Sequence, residues 1–447
     1  MRKNKPGEIR KRMRKSTVLN RDSFPGTAIA WAEKREKQIE TVLMLLLTLG
    51  LLLTYLIYGA LVCPDSEGYI RPAREFLETG RFTYHGMPIL FRTPGYSLFL
   101  AIVFKLTNYS YDAVAFLQMG MTLASMYMLY DLVKKISGSG VLGCLSSLFF
   151  LCNIPIYDSA VSIMSDCMFP FLLVWAVHCF YRYLKSGKLR HFFFSSLILN
   201  YAMLVRPQIM YFNMILAVVF LVLAILKKVG LKACGIYVSL FVLLYGGWTL
   251  RNYLIFDEVT FTPLRSESYY EWYAPAVYEY LEDTDRSVSK PYFEAQMQEM
   301  HPDYENYSRI QQVHAEKEVG GSYIAEHPAA YIAINFKGLF IEMLYPGVYV
   351  GYPDVMPNNL GLKLLKCFAS GMLLLSYLIY AVSFLRTLRR QKWFDWAILL
   401  LVMYLMASTA VIGRPRFRMA FYPLCLLGTF TCWKKKAKGQ GEKHEGI

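Results

Sequence analysis

The sequence predicts an all-α polytopic membrane protein, and three observations carry that reading. Hydrophobic residues make up 55% of the 447 and charged residues only 18%, a balance poorer in charge than soluble domains show. Several apolar runs reach the roughly 17–25 residues that about 30 Å of hydrocarbon requires. The net charge of +15 is gathered into short segments between those runs, as the positive-inside bias of membrane loops demands. That cause of a basic balance removes the need for a nucleic-acid partner.

In chain order, residues 1–40 form a basic cytoplasmic tail. Its opening "MRKNKPGEIRKRMRKS" is too long and polar for a removable signal peptide, and its cations suit a surface of anionic lipid. Ten spans are expected near residues 41–62, 111–133, 141–160, 166–184, 192–205, 208–226, 231–250, 361–385, 394–412 and 417–433. With the N-terminus inside, the inner segments are the two tails plus "KKISGSG", "YRYLKSGKLR", "KKVGLK" and "RTLRRQK". Together these hold about 30 of the 48 lysines and arginines. An even number of spans returns the basic tail 434–447 to the cytoplasm. "PGYSLFLAIVFKLT" and "YIAINFKGLFIEMLYPGVYVGY" are apolar but short or broken by Gly and Pro, so nine to twelve spans also fit.

This divides the chain into an N-terminal transmembrane catalytic module over 41–250 with an outer loop at 63–110, an extracytoplasmic region over 251–345, and C-terminal transmembrane helices over 346–433. In "GYIRPAREFLETG", Tyr69, Ala73, Phe76 and Leu77 recur at helical spacing and Gly80 offers a stop, which describes an amphipathic helix on the membrane surface. Pro94 opens a second interfacial helix. Between 251 and 330 stand fifteen acids against six Lys and Arg, with many tyrosines; that stretch is a candidate substrate platform. The nine cysteines are scattered without C-x-x-C or metal spacing, as small hydrophobes would be.

The topology collects polar residues at the outer boundary: Asp65, Glu67, Arg71 and Arg74 after the first span; Arg92; Asp166; Arg206; Trp248, Arg251 and Asn252; and Arg414, Arg416 and Arg418 in "GRPRFRMAFYP". Ionisable groups near membrane depth are costly and are usually paired or functional. The guanidinium fork matches a phosphate with two parallel hydrogen bonds. The set suits transfer from a lipid phosphate: cations stabilise the departing phosphate, and Asp65 takes the proton of an acceptor hydroxyl. Each member also has a plainer reading. An acid just past a span is ordinarily a solvated loop residue, and "RPRFR" can meet lipid headgroups. Arg206-Pro207 can punctuate a turn, Trp248 can sit in an interfacial belt, and His314 with Glu318 suits a surface pair better than a metal site.

The segments "PDSEGYIRPAREFLETGRF", "FRTPGYSLFLAIVFKL", "SIMSDCMFPFLLVWAV", "LILNYAMLVRPQ", "WTLRNYLIFDEVTFTP" and "GRPRFRMAFYPLCLL" together resemble, in order and over roughly residues 60–430, the C-type (GT-C) polyprenyl-phosphate-dependent glycosyltransferases. The pattern is similar to the bacterial family-39 enzymes grouped with protein O-mannosyltransferases and the aminoarabinose transferase that modifies lipid A. The resemblance implies an inverting transfer of a sugar from a polyprenyl-phosphate carrier to a glycolipid, polymer or protein acceptor, at the extracytoplasmic face of a bacterial plasma membrane. It implies Asp65 as the catalytic acid residue and Asp166 as a second, which in some members orders the site or a divalent ion. It places Arg92 and Arg206, with Arg251 and Arg416 behind them, near the donor phosphate. Glu67, Tyr69 and Tyr96, from the same two outer segments, are further substrate-side candidates. The chain departs from the pattern at Ser66-Glu67, and beyond residue 250 it lacks the large soluble domain that some relatives append. A transporter or flippase of lipid-linked sugars, and a non-catalytic scaffold, remain open on the sequence. Clean mid-depth spans weigh against the transporter, which ordinarily carries broken helices there.

Overall fold

The long apolar runs become long helices in the computed structural model, which describes residues 31–347, 360–388 and 393–431. Helix α1 (Glu36–Tyr58) runs unbroken to Gly59, whose φ of 66° is strain-free only for glycine. The outer loop follows as α2 (Glu67–Thr79), a small hairpin of β1 (Thr83–Tyr84) and β2 (Met87–Pro88), and α3 (Pro94–Thr107). Helix α2 buries Tyr69, Ile70 and Ala73 on one face and ends at left-handed Gly80, as its spacing predicted. The next helices are α4 (Tyr111–Ser137), α5 (Gly140–Leu151), α6 (Pro155–Val161), α7 (Ser165–Ser186), α8 (Leu189–Val205), α9 (Pro207–Ile225) and α10 (Leu231–Phe256).

The polar segment folds as α11 (Leu264–Ser268), a π-turn at Tyr269–Tyr273, then α12 (Ala274–Leu281), α13 (Arg286–Met300), α14 (Arg309–Glu326) and α15 (Pro328–Leu344). Tyrosines are frequent along it. Many ring a small core of Ala274, Phe293, Met297, Ala315 and Val319. Helices α16 (Leu360–Thr387), α17 (Trp393–Thr409) and α18 (Arg418–Thr431) complete the bundle, and α18 is buried along its length.

Among the described residues, six helices are long and apolar enough to cross a membrane: α1, α4, α7, α9, α10 and, from Lys363, α16. Four of the ten expected spans differ. Residues 141–160 are the pair α5 and α6, bent by 69°. The break has two causes: Pro155 has no amide to donate, and Asn153 turns inward to accept from buried Arg418 (2.9 Å). Among the described residues α8 and α17 are apolar but shorter, and the described part of α18 is 14 residues, about 21 Å at 1.5 Å per residue. The second interfacial helix, α3, is sunk against its neighbours with Tyr96, Leu100 and Phe104 fully buried. The tails at 1–30 and 432–447, and residues 389–392 of "RTLRRQK", lie outside the described residues.

One close contact matters for the site. Gly95 lies so near the end of α8 that an added Cβ would sit 2.5 Å from the carbonyl carbon of Leu204, and Tyr201 Oη donates to Gly95 O at 2.8 Å. This fixes Arg92, just before α3, against Arg206, just after α8. Gly95→Ala is expected to force the two apart at a stability cost of about 1–3 kcal/mol. An unchanged unfolding midpoint in detergent would show that the contact is not tight.

Candidate functional site

The two acids are placed by one strand-like pairing. Leu61 N donates to Val161 O (2.9 Å) and Ile163 N donates to Leu61 O (2.8 Å). Asp65 follows in a single 3-10 turn, Pro64–Ser66, where proline suits the first position and the backbone N–H of Cys63 donates to Ser66 Oγ (2.8 Å). Asp166 follows Ile163 in the first turn of α7. Behind them Gln118 Nε2 donates to Ser162 O (2.7 Å), and its side-chain oxygen accepts from Tyr96 Oη (2.7 Å). Tyr96 is therefore a fully buried brace for this wall. It does not face the cavity as a substrate contact would.

Asp65 lies between two guanidiniums. Its Oδ2 is 3.0 Å from Arg416 Nη2 and its Oδ1 is 3.3 Å from Arg92 Nη2. The Arg92 group also lies over the Tyr69 ring (4.8 Å) and donates to its hydroxyl (3.1 Å), which in turn faces Ser165 Oγ (3.1 Å). Asp166 Oδ1 is 3.0 Å from Arg206 Nη2. Pro207 ends α8 at Arg206, whose guanidinium then sits near the rings of Phe417 and Phe169. Buried amino groups of Arg92 (Nε) and Arg206 (Nη1) find no acceptor among the described residues, so both retain hydrogen-bonding capacity for an anion.

Asp65, Tyr69, Arg92, Asp166, Arg206 and Arg416 all line one cavity of about 780 Å³. Three candidates lie elsewhere. Tyr96 is the brace above. Glu67 pairs with Arg71 one helical turn on (3.0 Å). Arg251 donates to the carbonyls of Ile89 (2.5 Å) and Phe82 (3.3 Å) and to Asn252 Oδ1 (2.9 Å), and stacks on Trp248 at 4.8 Å. With its donors committed to the outer loop, Arg251 ties that loop to α10 instead of facing a phosphate. Arg418 is also structural: fully buried, it binds Asn153 and three carbonyls at the end of α15. The cavity is also lined by residues the sequence reading did not single out, among them Arg265, Trp272, Tyr273, Tyr331 and Asn335. The signal lay in the density of aromatic and polar side chains in "LRSESYYEWY".

Burial pushes the Asp65 carboxyl upward, but the charges of Arg416 and Arg92, the hydrogen bond from Arg416 and the charge of Arg206 outweigh it. The carboxyl is held below its ordinary value, about 3.9 in a free peptide. Because the folded pKa is the lower one, Asp65 adds stability above the unfolded pKa. That stability is lost as pH falls through the folded value. If Asp65 must be ionised for turnover, the acid limb of kcat/KM lies below the ordinary carboxylate range, and Arg416→Gln moves it upward. A limb that stays in place in that variant would assign it to another group.

A divalent ion does not fit these acids. Asp166 is neutralised by Arg206 and Asp65 by two arginines, and no group of three or more His, Cys, Asp or Glu comes together among the described residues. A hard cation needs several oxygen donors, and here it would meet guanidiniums.

Residues 91–248 match the model of the dolichyl-phosphate-mannose-protein mannosyltransferase family, a segment that includes Arg92, Asp166 and Arg206 but neither Asp65 nor Arg416. No curated protein matches the chain. Among solved structures, the chain is similar to the archaeal oligosaccharyltransferase AglB from Archaeoglobus fulgidus, in complex with an inhibitory peptide and a dolichol-phosphate. That match has 13% identity and a TM-score of 0.47 over 88% of this chain and 50% of that one. It is also similar to ArnT from Cupriavidus metallidurans bound to undecaprenyl phosphate, at 11% identity and a TM-score of 0.42 over 87% of this chain and 77% of that one. The chain thus spans about half the length of the oligosaccharyltransferase.

Proposed function

We propose that this protein is a membrane glycosyltransferase that moves a sugar from a polyprenyl-phosphate carrier to an acceptor hydroxyl of the cell envelope, at the extracytoplasmic face. The observation that carries the reading is the placement of Asp65 between Arg92 and Arg416 in a cavity shared with Asp166 and Arg206. The family match over residues 91–248 supports the same reaction class.

In this reading the carrier's phosphate enters beside Arg92, Arg206 and Arg416, which stabilise the charge that grows as the bond from the sugar's anomeric carbon to the phosphate oxygen breaks. The acceptor oxygen attacks that carbon from the opposite side, so the configuration inverts, and its proton passes to Asp65. A carboxylate paired with two guanidiniums is a weak base. Phosphate binding relieves this, because the anion draws Arg92 and Arg416 toward itself and leaves Asp65 more basic in the complex that reacts. Asp166 keeps Arg206 oriented across the cavity. No step needs a metal ion.

The test compares a deletion strain carrying the wild-type gene with one carrying Asp65→Asn at equal membrane level, reading envelope lipids, polymers and proteins by mass spectrometry. A glycan present only with the wild-type gene establishes transfer and names the sugar and acceptor. The same complete glycan in both strains, absent from the deletion alone, rejects catalysis by Asp65 and favours transport of the lipid-linked sugar.

A further inference from the structure

Arg92 has two partners in turn. In the free protein its Nη2 faces Asp65 at 3.3 Å, and in the donor reading it leaves that carboxylate for a phosphate. A long side chain released from an ionic partner gains rotamer freedom, and a guanidinium that wanders loses the planar match to an anion. Another group has to hold it during the exchange.

Tyr69 is placed to do so. The Arg92 guanidinium lies 4.8 Å from the Tyr69 ring centre, and its Nη1 donates to the Tyr69 hydroxyl at 3.1 Å. Its Nε sits beside Gly68, where an added Cβ would be 3.4 Å away, so the group lies along the first turn of α2. The charges of Glu267 and Arg416 also bear on Arg92, with opposite sign. A charge pulls on the guanidinium as a whole, whereas a ring face and a hydroxyl together fix the plane of its fork.

Tyr69 is itself held. It is 6% exposed, and its ring meets that of Tyr96, the buried brace, edge-on at 5.1 Å. Its oxygen accepts from Arg92, which has no acceptor to offer in return, and its own proton is left for Ser165 Oγ at 3.1 Å. Ser165 is buried and precedes Asp166 in the first turn of α7. One hydroxyl thus joins Arg92 and the start of α2 to the start of α7, where Asp166 holds Arg206.

We infer that Tyr69 is a positioning residue for donor binding: by ring face and hydroxyl it keeps hold of the Arg92 guanidinium while that group exchanges Asp65 for the carrier's phosphate. This role rests on the donor reading above, which gives the phosphate to Arg92. A tyrosine that only fills space between α2 and α7 is the alternative, and phenylalanine separates the two because it fills the same space without the hydroxyl.

The purified full-length protein is titrated calorimetrically in detergent with farnesyl phosphate. Tyr69→Phe is expected to weaken binding about tenfold, the lower end of what one hydrogen bond to a charged group contributes. Tyr69→Leu removes the ring face as well and weakens binding further. Beside Arg92→Gln, Tyr69→Phe changes the affinity no more, because the hydroxyl acts through the guanidinium; a general loss of fold would show equally in both backgrounds and cancels in the comparison. Wild-type affinity in Tyr69→Phe, with Arg92→Gln weakened, assigns a packing role and overturns the inference while the donor reading stands. An equal loss with and without Arg92 overturns it as well. If Arg92→Gln itself leaves farnesyl phosphate binding unchanged, the donor reading fails and the role of Tyr69 falls with it.

Discussion

Asp65→Asn is expected to lower the rate of sugar transfer by about 10²–10⁴-fold, the range a positioned general base contributes, without lowering the amount of protein in the membrane. The isosteric amide keeps the 3-10 turn and can still accept a hydrogen bond, but it cannot take up a proton. It also removes the negative charge that Arg92 and Arg416 share at 3.3 and 3.0 Å. With that competitor gone, both guanidiniums are available to a phosphate. Donor affinity should therefore stay level or rise while kcat collapses. A purely structural Asp65 predicts the opposite, since losing the acid would let two arginines repel each other and disorder the phosphate site. Measuring kcat and donor KM separately decides between them. A variant with wild-type kcat removes Asp65 from the chemistry.

Arg418→Met is expected to be the most destabilising single change near the site, at about 3–5 kcal/mol, the cost of stripping one partner from a buried polar contact. The Arg418 side chain has no exposed surface. Its Nε donates to Asn153 at 2.9 Å, and its Nη1 donates to the carbonyls of Glu342 (2.8 Å), Met343 (3.2 Å) and Tyr345 (3.0 Å). These bonds join the break between α5 and α6, the end of α15 and the start of α18. Methionine fills much of the volume but leaves those acceptors dry and unpaired. Lysine keeps the charge yet lacks the planar fork, so Arg418→Lys should recover only part of the loss. The readout is the unfolding midpoint in detergent together with membrane yield. A midpoint within error of wild type would show that water takes over the bonds.

Much of the architecture is written locally. The spacing of Tyr69, Ala73, Phe76 and Leu77 ahead of Gly80 was enough for α2, because helical period and a left-handed stop are properties of neighbouring residues. Long apolar runs such as α1 and α10 announce themselves for the same reason. The bend between α5 and α6 was not legible. Pro155 hints at it, but the inward turn of Asn153 depends on an arginine 265 positions later. Composition likewise could not separate three arginines that look alike in sequence. Arg416 reaches Asp65, Arg418 is locked in the core, and Arg251 is tied to carbonyls of the outer loop.

The sequence by itself determined that the chain is helical and crosses the membrane several times, and it gathered acids and guanidiniums at one boundary, because hydrophobic length and charge are read off in order along the chain. Tertiary structure alone decided which of those charges meet. An arginine side chain reaches several ångströms in any direction, and its partner is chosen by how distant helices pack. That is why Asp65 faces Arg92 and Arg416, and why Arg265 and Arg414 from separate segments line the same cavity.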